Sequence, residues 1–167
     1  FRTNPEHPPL AKALAALPLL AMDIRDPRAA SPDWDLVPQQ RDYAWLVAHR
    51  MVFMENDAES LFFYAKLPLL ALSALLGIFV YRWAKGLYGV QAGLGAAFVY
   101  FLDPNILGHS PIVHIDVLFS AFFFIGTYFF CRALGQLTWA NMILTSTFFG
   151  LAAVTKFSFW AVLPVWM

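Results

Sequence analysis

A few ionisable side chains stand where an apolar chain has least use for them. Glu6, His7 and Lys12 surround a Pro-Pro pair in "NPEHPPLAK", ahead of the short run "ALAALPLL". His109, His114 and Asp116 lie in "LGHSPIVHID", at the mouth of a phenylalanine-rich run, and Lys156 interrupts another. Lys66 lies near the start of a third. Cations so placed suit an anionic partner such as a lipid phosphate, whose charge they can hold as it develops. A carboxylate so placed suits proton abstraction from a hydroxyl, or a metal. Ionisable groups near a membrane interior are costly and are functional candidates by default.

Each residue also has a structural reading. His7 can hydrogen-bond within its loop. Lys12 and Lys66 can snorkel to an interface. Asp116 can be the N-cap of the helix that follows, since aspartate is a preferred cap. His114 and Asp116 are two apart and so should not share a helical face. A His/Asp metal site is not demanded by the spacing, so a divalent cofactor stays undecided. Gly89 and Gly93 have the spacing of close helix packing.

The elements that must position these groups are transmembrane helices. The 167-residue chain is 60% hydrophobic and 13% charged, against about 25% charged in an ordinary soluble domain. It contains 17 phenylalanines and six tryptophans, more apolar surface than a soluble domain of this size hides. The zero formal net charge gives no sign of a nucleic-acid partner, and the single Cys131 allows no internal disulfide. Spans are expected near residues 61–82, 87–102, 112–132 and 139–156, with the start of another over 157–167. Residues 1–60 read as part of an outer loop with interfacial helices, one over the short run after Pro9 and one over "YAWLVAHRMVFMEN". Positive charge is confined to "YRWAK" and "CRA" among the short loops, which places Arg82, Lys85 and Arg132 in the cytoplasm and the other charges outside. The chain opens on "FRTNPEH" and reads as a piece of something longer.

With these residues in view, "NPEHPPLAKALAALPLL", "RWAKGLYGVQAGLGAAFVYFLDPNILGHSPIVHIDVLFSAFF" and "GLAAVTKFSFW" resemble the phospholipid carrier-dependent glycosyltransferases. These are the bacterial branch of the protein O-mannosyltransferase family, glycosyltransferase family 39. The resemblance runs from about Asn4 to Phe159. It implies an all-α, polytopic transmembrane bundle of the GT-C type, cut short at both ends. It implies an enzyme of the bacterial inner membrane that takes a sugar from a polyprenyl- or dolichyl-phosphate carrier, with protein, lipid or glycan as acceptor on the outer face. Asp116 resembles the second outer-loop carboxylate of that family, and so is the catalytic candidate. His7, Lys12 and Lys156 are candidates to hold the donor phosphate, with Glu6, His114 and Lys66 in support. Lys66 falls where relatives carry arginine, which keeps the charge but loses the bidentate fork. The leading catalytic carboxylate of the family is expected before residue 1, which would leave this piece inactive alone. A non-catalytic membrane subunit and a transporter segment are the readings from other classes. A transporter would favour charges spread through membrane depth in matching halves.

Overall fold

The structure, a computed structural model, describes residues 8–25 and 41–161. Glu6 and His7 lie outside the described residues. Among the described residues the chain is helical. Helix α1 spans Leu10–Ala16, followed by a 3-10 turn over Pro18–Ala21. Then come α2 (Arg41–Phe53), α3 (Ala58–Tyr88), α4 (Val90–Leu102), α5 (Pro104–His109), α6 (Ile115–Gly135) and α7 (Trp139–Ala153).

Two helices are long and apolar enough to cross a membrane, α3 with 31 residues and α6 with 21. At 1.5 Å per residue, α3 is about 46 Å long, well beyond the ~30 Å of a hydrocarbon core. The helix is therefore longer than the core it would cross, and Lys66 lies within its first three turns. The helix begins earlier than the sequence pattern suggests because Asp57 caps it, accepting hydrogen bonds from the Ser60 amide and hydroxyl. It ends at Gly89, whose φ of +91° and ψ of 176° suit only glycine. This turn sends α4 back along α3, and the approach is close. A Cβ at Gly77 would collide with the ring of Phe101, and one at Gly93 would lie 3.0 Å from the Tyr81 carbonyl oxygen. Of the two glycines with packing spacing, Gly93 is the packing residue and Gly89 is the turn.

Helix α6 packs on α7 through phenylalanine. Phe149 covers Gly126, and Phe129 stacks on Phe148 at a ring separation of 6.0 Å. On its other side α6 meets α3, where Phe79 and Trp83 pack edge-on against Tyr128. The outward faces are also apolar. Phe98, Val99, Ile143 and Leu94 are all exposed, as expected where the surrounding solvent is lipid. The run after Pro9 does not lie loose on this bundle. Ala11 is buried with Ile115, Leu118, Ala152 and Phe159, while Leu10 and Leu14 pack around them. That contact joins α1, the start of α6 and the end of α7 at one end of the molecule.

Candidate functional site

Helix α6 starts where it does because Pro111 to Val113 hold the chain irregular and His114 supplies a cap. The His114 Nδ1 lies 3.3 Å from the Asp116 amide and 3.1 Å from Asp116 Oδ2. Unprotonated, that nitrogen accepts the amide and caps the helix. Protonated, it donates to the carboxylate instead. Asp116 is not the cap but a first-turn residue, which corrects the N-cap reading. The two residues do not share a helical face, as their spacing requires; they touch because His114 stands outside the helix, in extended backbone, where residues two apart can meet.

The other wall of the site comes from α7. This helix stops at Ala153, so Lys156 is not within a helix. It lies at a corner, its amide bonded to the Ala152 carbonyl and its own carbonyl accepting from Phe159. Thr155 anchors the corner, fully buried with its hydroxyl on the Leu151 carbonyl. From there the Lys156 ammonium donates to Asp116 Oδ1 at 2.6 Å, across 40 residues of sequence. The pair is only partly covered, with the lysine side chain 33% exposed and the carboxylate 50%. Phe119 flanks the ammonium at 6.0 Å from its ring centre. One carboxylate thus holds an imidazole on one oxygen and an ammonium on the other, at an open face. His109, at the end of α5, lies within electrostatic reach of Asp116.

The preceding connection is held by a network of hydroxyls that no sequence pattern marks. Ser110 is buried, and its hydroxyl lies 2.8 Å from that of Ser73 and 2.5 Å from the Ile106 carbonyl. Tyr100 donates to the Ser73 carbonyl at 2.8 Å. These bonds tie α3, α4 and α5 together just before the His114–Asp116 turn. Asp103 caps α5, accepting from the amides of Asn105 and Ile106. That gives Asp103 a structural place in the loop before the site.

The remaining candidates separate. Lys12 follows Ala11, which packs against Ile115 and Phe159, so its helix turn belongs to the same end as Asp116 and Lys156. Lys66 is not brought to the cluster. Its ammonium lies 5.2 Å from the centre of the Phe63 ring, on its own helix. Among the described residues no three His, Cys, Asp or Glu side chains gather as a metal site. The arrangement as it stands can hold an anion with cations and can take up a proton at a carboxylate.

Paired apolar helices, lipid-facing aromatic surfaces and a charged cluster at one end define a helical integral membrane protein with a polar site at its surface. Residues 43–166, well over half of the chain, match the family model described as dolichyl-phosphate-mannose-protein mannosyltransferase. The chain belongs to this family of membrane glycosyltransferases of the GT-C type. No curated protein and no solved structure matches it.

Proposed function

We propose that the end of the bundle carrying Asp116, His114 and Lys156 handles the reacting groups in transfer of a sugar from a polyprenyl- or dolichyl-phosphate carrier. The acceptor is a hydroxyl of a protein or another glycan presented at the outer face of a bacterial inner membrane. The observation that carries this reading is the half-exposed Lys156–Asp116 pair. The ammonium and the carboxylate are 40 residues apart in sequence, after the end of α7 and at the start of α6, and meet at 2.6 Å beside an imidazole.

The chemistry follows from the charges. The bond between the sugar's anomeric carbon and the carrier phosphate breaks, and its electrons go to the phosphate oxygen. The acceptor hydroxyl oxygen bonds to that carbon and loses its proton. Lys156 has three N–H donors, of which one holds Asp116 in the resting state. An arriving phosphate competes for the ammonium and draws it from the carboxylate. Asp116 Oδ1 is then free to receive the hydroxyl's proton, while Lys156 and the His114 imidazole face the leaving phosphate. His7 and Lys12, in and after "EHPP", would complete the phosphate cradle, with Glu6 in support.

The test is transfer by the intact protein, reconstituted in vesicles with a polyprenyl-phosphate-linked radiolabelled mannose and a peptide acceptor. Labelled peptide is expected from wild type. His7→Ala should lower the rate at least about tenfold, since a charged hydrogen-bond donor is worth roughly 1.5–3 kcal/mol. Intact, folded protein that consumes no lipid-linked sugar with any acceptor would overturn the assignment.

A further inference from the structure

At the opposite end of the same helices lies a second cationic site. Arg132 is 16 positions along α6 from Asp116, about 24 Å at the helical rise. Its guanidinium donates to the Tyr128 hydroxyl at 3.2 Å and lies over the Tyr128 ring. Arg82, from the end of α3, faces the same hydroxyl. Between the two helices is an open cleft of about 250 Å³ lined by Arg82, Trp83, Leu87, Tyr128, Cys131 and Arg132. The two guanidiniums therefore converge on one buried phenol, although like charges placed together repel.

Among the described residues no acid pairs with them. The chain carries no Asp or Glu between Glu59 and Asp103, or after Asp116. Glu59 stands at the far end of α3, and Asp103 and Asp116 stand at the far ends of α4 and α6. Lys85 adds a third cation at this end but lies over the Tyr81 ring, away from the cleft. The surroundings are apolar: Leu87, Leu134, Leu137 and Trp139 are all more than half exposed. Exposed tryptophan beside arginine at the end of a span is the composition of a membrane interface.

We infer that the cleft between α3 and α6, lined by Arg82, Tyr128 and Arg132, binds the phosphate of an anionic phospholipid at the membrane face opposite the sugar-transfer site. Two guanidiniums present forked N–H donors that match phosphate oxygens. The tyrosine holds both arginines in position, and Trp83 walls the cleft. Exposed Leu87 and Leu134 lie where acyl chains would run. A basic pocket between transmembrane helices is the expected form of a lipid headgroup site. This site would hold the bundle in its membrane at a fixed depth; it takes no part in transfer, and its test does not depend on the transferase reading.

The experiment uses the intact protein in nanodiscs or detergent, with defined lipids. Alkylation of Cys131, which is exposed and lines the cleft, is followed by peptide mass spectrometry. Phosphatidylglycerol is expected to slow it, and phosphatidylcholine to leave it unchanged. Lipid retention by native mass spectrometry is the second measurement. At the strength usual for basic residues at a membrane surface, Arg82→Gln with Arg132→Gln should lower retention of phosphatidylglycerol roughly thirtyfold. Lys85→Gln, outside the cleft, should lower it by no more than about fivefold, the loss of one surface charge. Equal alkylation in both lipids would overturn the proposal, as would equal loss in the Lys85 variant, which would indicate diffuse charge. Protection by inorganic phosphate as good as that by phosphatidylglycerol would reassign the cleft to a free anion. Should the double variant fail to fold, the wild-type alkylation result decides alone.

Discussion

Replacing Lys156 by methionine removes the ammonium and keeps much of the stem. Two unit charges at 4 Å attract by about 1 kcal/mol in water and about 4 kcal/mol at an effective dielectric near that of a protein surface. Here the carboxylate is half in solvent and a third of the lysine is exposed, so the net worth of the pair to stability lies near the lower figure, about 1 kcal/mol. The cost is limited further because Asp116 keeps His114 at 3.1 Å. Thermal unfolding of the intact protein should therefore shift by only a few degrees in Lys156→Met. Asp116→Asn should shift it by a similar amount, and Asp116→Asn with Lys156→Met by less than the sum, since neither charge is then left alone. Turnover should behave differently. A cation that meets the leaving phosphate is worth roughly 1.5–3 kcal/mol, or a ten- to hundredfold loss in transfer rate. The double variant should be stable and as slow as the slower single variant. Transfer from a polyprenyl-phosphate sugar, measured beside unfolding on the same preparations, separates the two effects. Wild-type turnover in folded Lys156→Met would refute the reasoning and leave the pair as a helix clasp.

Gly89→Ala should destabilise by about 1–3 kcal/mol even though nothing crowds the position, because the backbone there is accessible only to glycine; a lower unfolding temperature with unchanged helicity would show this. Ser73→Ala should cost about 0.5–1.5 kcal/mol, one net hydrogen bond, because the Ser110 hydroxyl keeps the Ile106 carbonyl, and a loss above about 3 kcal/mol in thermal unfolding would show that the Ile106 carbonyl does not satisfy Ser110 alone. Gly126→Leu should be destabilising by about 1–3 kcal/mol through overpacking against Phe149, and the partial rescue expected from Phe149→Ala checks the contact. An impermeant thiol reagent applied to intact cells should label Ser110→Cys poorly, since that side chain is buried, but His109→Cys readily and Gly86→Cys not at all; equal labelling at positions 109 and 86 would reverse the two faces.

Much of this protein can be read in its sequence. Long apolar runs interrupted by "YRWAKG" and "CRALGQ" fix a helical membrane chain, because unpaired backbone cannot stand in lipid. The motifs around His114–Asp116 and Thr155–Lys156 lie within the stretch that matches the family. The Tyr128–Arg132 contact, between residues four apart on one helix, was not singled out from the sequence, although its spacing allows it. What pattern could not supply is contact between elements. Lys156 meets Asp116 only because α6 and α7 pack through Gly126 and Phe149 and because α7 stops at Ala153, before the lysine. His114 meets Asp116 only because α6 starts one residue after the histidine, a boundary that periodicity leaves uncertain by several residues. The Ser73–Tyr100–Ser110 network joins three helices through side chains too common to stand out. Periodicity reports which face of a helix is apolar, and charge reports which loop stays in water. Which polar groups share a cavity depends on crossing, packing and helix ends, and those are properties of the tertiary structure.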